Sequence, residues 1–393
     1  MSIAVADRLA PVKPSPTLAV TARAAERRAA GHDVIGLGAG EPDFDTPLHI
    51  KRAAVEAIER GLTKYTAVDG TAALKEAVQQ KFQRENQLSY RPDQILVSAG
   101  GKQSFYNLCQ ALLNPGDEVL IPAPYWTSYP DIVKLADGVP VILTASIEQH
   151  FKITPEQLAG AIGPRTKMFV LNSPSNPTGA AYSDAELAAL AGVLKNHPHV
   201  IIATDDMYEH IRWGNTPFRN ILNIEPALYD HTVVLNGVSK AYSMTGWRIG
   251  YAAGPTALIK AMKKIQSQST SNPCSISQAA AQAALTGDQS CIAEMVTAFK
   301  QRHDYVVASL NALPGVRCRP GDGTFYAFPD FRDVLATRQI TDDVVLAEEI
   351  LTRTDVALVP GSAFGAPGHL RLSFATSMEN LEKALERLSR WLR

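Results

Sequence analysis

Cysteine is scarce in this chain: Cys109, Cys274, Cys291 and Cys318 are the four among 393 residues, and no two of them form a Cys-x-x-Cys pair. That spacing excludes the common zinc knuckles and gives no disulfide framework, so no metal is expected and the thiols should be reduced and mostly buried. A surplus of one charge is lacking too, since 38 lysines and arginines face 39 aspartates and glutamates for a formal net charge of −1. That balance provides neither the broad basic field of a nucleic-acid binder nor an acidic tail. No run reaches the ~18 apolar residues that span a bilayer, and Met1–Arg8 lacks the basic start and apolar run of a secretion signal. These absences predict a soluble, cytoplasmic protein with neither nucleic acid nor membrane as a partner.

The 46% of hydrophobic residues can build a large core, and the length suits two or three domains. Between about residues 47 and 285, short apolar runs alternate with helical patterns, as in a mostly parallel sheet covered by helices. Candidate strands are 95–98, 119–122, 139–143, 168–171, 200–203 and 232–238, and Ser183-Asp184-Ala185-Glu186 is a capping box opening a helix through Leu194. After about residue 286 the pattern changes to long helices with separated strands at 325–328, 356–359 and 370–373, which reads as a smaller α+β domain. The fold class expected is therefore α/β.

Glycines at Gly36, Gly38 and Gly40 suggest a dinucleotide loop, but Gly36-Leu37-Gly38-Ala39-Gly40-Glu41 lacks glycine at the sixth position and runs into Pro42 instead of a helix. A nicotinamide cofactor is rejected on that ground. A different chemistry is carried by Ser239-Lys240-Ala241-Tyr242-Ser243-Met244-Thr245-Gly246-Trp247-Arg248. Lys240 emerges at the carboxyl end of the buried run 232–238, where open α/β sheets place ligands. Trp247, Ile249 and Tyr251 alternate with Arg248, Gly250 and Ala252, which predicts a second strand carrying Arg248 to the same crevice. An amine that condenses with an aldehyde, eight residues before a guanidinium that grips a phosphate, describes pyridoxal 5'-phosphate.

Other segments fit that cofactor. Gly100 and Gly101 stand where a strand gives way to a helix and would let backbone N–H groups approach a phosphate, although a glycine pair is equally a tight turn. Asp205 follows the 200–203 run and could keep a pyridine nitrogen protonated, or it and Asp206 could cap a helix. Asn176-Pro177-Thr178-Gly179 follows the 168–171 run, and by itself is also a turn signal. Arg371, between apolar neighbours, could clamp a carboxylate with two parallel bonds, or form a structural ion pair.

In this order the motifs resemble those of fold-type I pyridoxal phosphate enzymes, specifically the class I aminotransferases. The similarity runs from Lys13-Pro14-Ser15-Pro16-Thr17 to Arg371-Leu372-Ser373-Phe374-Ala375-Thr376-Ser377, nearly the whole chain. The subgroup most resembled is the bacterial aspartate aminotransferases that include glutamate/aspartate-prephenate aminotransferases. The resemblance implies a large cofactor domain over 47–285, and a small domain built from 1–46 and 286–393 whose amino-terminal segment admits substrate. It assigns the ring nitrogen to Asp205, the ring's phenolic oxygen to Tyr208 and Asn176, ring stacking to Trp126, and further cofactor contacts to Ser239 and Lys102. Asp206 and Met207 depart from the Glu and aliphatic residue common in the family.

Tyr65 resembles a tyrosine that reaches the cofactor phosphate from the partner subunit, implying a homodimer with shared active sites. For substrate, the resemblance implies Arg371 and the backbone at Gly40 on the α-carboxylate, with Lys102, Ser15 and Thr17 toward a distal group. The implied activity is a ping-pong transfer of an amino group between an amino acid and a 2-oxo acid, with aspartate and 2-oxoglutarate the expected pair and Lys240 the proton carrier. Prephenate or aromatic amino acids, with Lys13 a further basic group, remain alternatives, as does a lyase on the same scaffold. A regulatory module is disfavoured by Lys240 itself and by the absence of a helix-turn-helix extension.

Overall fold

A computed structural model describes residues 3, 5–12, 14, 16–214 and 216–393. Its twelve strands are β1 (Ile35–Gly36), β2 (Ile95–Ser98), β3 (Glu118–Ala123), β4 (Val139–Thr144), β5 (Thr166–Asn172), β6 (Ile201–Asp205), β7 (Thr232–Gly237), β8 (Gly250–Ala253), β9 (Tyr326–Ala327), β10 (Val356–Ala357), β11 (Val359–Pro360) and β12 (Leu370–Ser373). Seven of them form one sheet in the order β2-β8-β7-β6-β5-β3-β4. Six run in one direction, and β8, antiparallel to both β2 and β7, alone runs against them. This is the mostly parallel α/β architecture expected from the sequence.

Burial explains the apolar runs. Met168, Phe169, Val170 and Leu171 of β5 and Val233, Val234 and Leu235 of β7 are all buried, because helices cover both faces of the sheet and neither side of a strand meets water. The edge strand β4 is open to solvent instead, with none of its residues buried and Val139 and Ile142 exposed. The predicted capping box forms: Glu186 N donates to Ser183 Oγ at 3.3 Å, and Ser183 N donates to Glu186 Oε2 at 2.7 Å.

The parallel strands end together at Ala123, Asn172, Asp205 and Gly237. β3 lies between β4 and β5, so the chain winds outward to β4 and then returns to build the sheet on the other side. Such a reversal opens a crevice at the carboxyl ends of the strands.

A second apolar cluster joins Ile35 and Leu37 to Phe299, Leu346, Ile350, Leu372 and Leu385. β1 pairs with β10 in parallel, and β12 lies between β11 and β9 in an antiparallel sheet. The 356–359 strand is therefore two pieces that change partner at Leu358 and belong to different sheets. The 325–328 strand shortens to β9, since only Tyr326 and Ala327 face β12.

The second strand expected through Trp247 also requires correction. Thr245–Trp247 is a single 3-10 turn, Arg248 has a left-handed φ of 59°, and β8 begins only at Gly250. Two of the thiols, Cys109 and Cys318, are buried, whereas Cys274 is exposed and Cys291 half-buried, so burial is less general than expected. Among the described residues no helix is long and apolar enough to cross a membrane.

Candidate active site

Lys240 follows β7 by three residues and is held by a tight turn in which Met244 N donates to Ser239 O at 3.1 Å. Its ammonium donates to Gly40 O at 2.5 Å and faces a cavity of about 300 Å³ at the ends of β3, β5, β6 and β7. Burial draws the amine pKa down to about 8, assisted by the Arg371 and Arg248 charges and opposed by Glu41 and Asp205. An amine so placed is a nucleophile and base near neutrality.

Most of the expected residues meet at this cavity. Thr17, Gly40, Gly101, Lys102, Trp126 and Asn176 line it, with Asp205, Tyr208, Ser239, Lys240, Arg248 and Arg371. Ser15 and Lys13 lie outside the described residues. Tyr65 is 92% exposed and does not line the cavity of its own chain.

The end of the cavity beside β2 is built from backbone. Gly101 opens the helix Gly101–Leu112, whose first N–H groups carry the positive end of its dipole. Gly100 has φ 94°, a positive-φ conformation that favours glycine, and its missing Cβ lets the Arg248 guanidinium lie against the backbone there. Arg248 Nη1 donates to Thr245 O at 2.8 Å and Nη2 to Ala99 O at 3.3 Å, which fixes the fork beside the helix start. The left-handed bend at Arg248, rather than an extended strand, turns it there.

Asp205 closes β6, and both carboxylate oxygens are engaged. Tyr129 Oη donates to Oδ2 at 2.5 Å and Met207 N to Oδ1 at 3.2 Å. Burial raises the Asp205 pKa, while those two bonds and the Lys240 charge restrain the rise. Asn172 Nδ2 donates to Asp205 O at 2.9 Å and Asn172 Oδ1 accepts from Asn176 N at 3.0 Å, so the ends of β5 and β6 hold each other in place.

Trp126 lines the cavity, perpendicular to Tyr129 at 5.2 Å, with Lys102 Nζ 5.3 Å from its ring centre. Burial and the neighbouring Arg248 charge lower the Lys102 pKa, though its side chain is exposed. Arg371 on β12 is buried, with Nη1 donating to Asn176 Oδ1 at 2.9 Å and Nη2 to Gly38 O at 2.7 Å. Its Nε is buried without an acceptor, and such a group is costly unless an anion meets it.

Two tyrosines that line the cavity were not legible in the sequence. Tyr326 on β9 shares a hydrogen bond of 3.0 Å with Tyr208 Oη and lies under the Arg371 guanidinium, 4.4 Å from ring centre to Cζ. Tyr129 follows Trp126 by three residues across the start of the helix Ser128–Leu135, the single hint that both belong to one site.

The reactive amine, glycine-backed helix start, arginine fork and buried acid fit the phosphate, aldehyde and ring nitrogen of pyridoxal phosphate. The comparisons with known proteins agree. The family described as "Aminotransferase class I and II" matches residues 32–388. The aspartate/prephenate aminotransferase of Nitrosomonas europaea is 58% identical over 391 residues, covering 98% of each chain. Among solved structures, the aspartate aminotransferase of Rhizobium meliloti superposes with a TM-score of 0.96 at 50% identity, covering 99% of this chain and 98% of that one. The aspartate aminotransferase of Thermus thermophilus with maleate gives 0.93 at 44% identity, covering 99% and 100%. With a lysine amine, an arginine fork and a carboxylate meeting where the parallel strands end, and with relatives alike over their whole length, this chain belongs to the class I and II aminotransferases, a family dependent on pyridoxal phosphate.

Proposed function

We propose that this aminotransferase holds pyridoxal 5'-phosphate through Lys240 and moves an amino group between aspartate and 2-oxoglutarate in a ping-pong cycle. One relationship carries the reading: Lys240 Nζ and Arg371 Nη2 are held by carbonyls two residues apart, Gly40 and Gly38, so one strap of backbone spans the amine and the carboxylate clamp. When bound, the cofactor supplies a carbonyl that takes the amino group and a ring that accepts electrons.

The chain's own groups do the rest. Arg371 receives the substrate α-carboxylate on its fork, oriented by Asn176 and stacked on Tyr326. Lys240 Nζ, with a pKa of about 8, would take the proton from the substrate α-carbon and deliver it to the carbon that was the cofactor's aldehyde. Asp205 offers its carboxylate to the ring nitrogen, and Tyr208 Oη, backed by Tyr326, and Asn176 offer donors to the phenolic oxygen. Gly100, Gly101, Ser239 and Arg248 hold the phosphate, and Trp126 covers the ring.

Lys102 is assigned to the distal carboxylate, with Thr17 and Ser15 on the segment that admits substrate. The aspartate/prephenate relative and the maleate complex support a dicarboxylate substrate, and the former also favours prephenate as a second acceptor. Residues 47–285 are proposed as the large domain and 1–46 with 286–393 as the small one. A homodimer with Tyr65 crossing to the partner's site is supported by the exposed apolar side chains of Val55, Ile58 and Leu62 that lead up to it.

Mixing cofactor-loaded protein with single amino acids and following cofactor absorbance tests this reading. Aspartate and glutamate should convert the cofactor fastest, and borohydride trapping should label Lys240. Release of ammonia or carbon dioxide would move the chain to lyase chemistry.

A further inference from the structure

Behind the catalytic turn lies a charged cluster with no contact to the cavity. Glu209 is the residue after Tyr208, yet its side chain is buried and turned into the protein. Its Oε1 accepts from Lys81 Nζ and from Asn236 Nδ2, the latter at 2.7 Å, and its Oε2 accepts from Asn86 Nδ2 at 2.7 Å. Lys81 is fully buried and donates also to Asn86 Oδ1 at 2.7 Å. Glu85 and His210 stand beside them, with His210 Nε2 and Glu85 Oε2 at 2.9 Å. Glu85, Glu209 and His210 have the spacing of metal ligands, but the Lys81 ammonium already supplies the positive charge among them.

We infer that Glu209 is a positioning residue, whose buried carboxylate fixes the Asp205–Tyr208 turn against the β7 segment that delivers Lys240. The pairing of β6 with β7 ends at Asp205 and Leu235, with one more bond from Asp206 N to Leu235 O at 2.9 Å. Beyond that point no strand pairing holds the turn carrying Tyr208 to the segment carrying Lys240. The Glu209–Asn236 bond spans this gap, four residues before Lys240. Asn236 Oδ1 accepts from Gly237 N at 2.7 Å, which fixes the amide so that its Nδ2 must face Glu209.

The ionised state of Glu209 is set by the cluster. Burial opposes the charge, but Lys81, His210 and the Asn86 amide outweigh it, so the Glu209 pKa is lowered. The same carboxylate helps raise the Asp206 pKa to about 7, after burial, while Thr204 and Asn220 bond Asp206 in opposition. Lys81 ends the helix Ala72–Lys81 and is followed by a π-helical turn, Phe82–Asn86, that brings Asn86 back to the same carboxylate. A π turn lies off the regular helical path and is frequent where side chains must converge on a function.

The inference rests on the assignment of Asp205, Tyr208 and Lys240 to the cofactor. Glu209→Gln with Lys81→Met removes both charges together, which avoids leaving one buried and unpaired. Asn236→Leu keeps the Lys81–Glu209 pair and cuts the link to β7, together with the local acceptor of Gly237 N. In each holoenzyme the pH midpoint of the cofactor absorbance should shift by about half a unit or more. Turnover should fall roughly tenfold with KM nearly constant, as a misplaced but still bound reactant predicts. In the cofactor-free proteins the labelling midpoint of the Lys240 amine should move as well. Folded variants with parental midpoints and turnover would overturn the inference, leaving Glu209 a packing ion pair. Should the double variant fail to fold, Asn236→Leu decides alone. A parent protein that takes up no cofactor at Lys240 would instead sink the assignment beneath it, and the inference with it.

Discussion

Tyr129 donates its phenolic hydrogen to Asp205 Oδ2 over 2.5 Å, and both residues line the cavity that holds Lys240. Such a bond favours the charged carboxylate, which burial alone would neutralise. Tyr129→Phe removes the donor without opening a large void. The Asp205 pKa should then rise further, and a neutral acid binds a protonated ring nitrogen less well. A bond to a charged group contributes about 1.5–3 kcal/mol, so equilibrium dialysis should show cofactor affinity weakened roughly tenfold or more. Unchanged affinity would remove Tyr129 from the site.

Lys240 offers a sharper pH signature. With its pKa near 8, about a tenth of the amine is neutral at pH 7, against fewer than ~1 in 1,000 for an ordinary lysine. In the cofactor-free protein, an amine-selective reagent should label Lys240 with a midpoint near pH 8. Arg371→Gln removes a positive neighbour and should raise the midpoint, whereas Asp205→Asn removes a negative one and should lower it. For stability the sign is opposite to that of an ion-paired lysine. Between about 8 and the ordinary 10.5 the unfolded chain binds more protons at this group, so its contribution to stability rises with pH across that window.

Much of this architecture could be read from the sequence, because pattern records which side chains avoid water. The buried runs of β5 and β7, the capping box at Ser183 and the placement of Lys240 all follow from local rules. Arg248 reached its expected place by an unexpected route, since alternation cannot reveal that a residue sits in the left-handed region. Buried polar partners were invisible for another reason. Tyr129 and Asp205 are 76 residues apart, and Lys81 and Glu209 are 128 apart, so no local period links them. The short strands β1, β10 and β11 are pieces of two residues, which carry too little alternation to show which sheet each joins.

Tyr65 separates an active site contained in one chain from one shared by two. In this chain it is exposed and away from the cavity that holds Lys240. If it completes the partner's site, Tyr65→Ala and Lys240→Ala chains should rescue one another when unfolded together and reassembled. Random pairing makes half the dimers hybrids, each with one site that has both residues intact, so activity should return to about a quarter of the parental value. If Tyr65 served its own chain, no hybrid site would be whole and activity would stay at the level of the separate variants.

Lys102 tests the substrate assignment. Its ammonium lies 5.3 Å from the Trp126 ring centre on the cavity wall, where burial and Arg248 lower its pKa. A point charge there can form a charge-assisted bond to a second carboxylate, whereas an aromatic side chain could gain only a weaker cation–π contact. A charge-assisted hydrogen bond contributes about 1.5–3 kcal/mol, so Lys102→Gln should lower kcat/KM for aspartate and glutamate roughly 10- to 100-fold. Phenylalanine should change far less, because its α-carboxylate still meets Arg371 and its ring never needed the charge. The ratio of the two specificities is the decisive quantity, since a general loss of cofactor would depress both alike. An equal fall for aspartate and phenylalanine would place Lys102 with the cofactor phosphate and leave the distal carboxylate to another group.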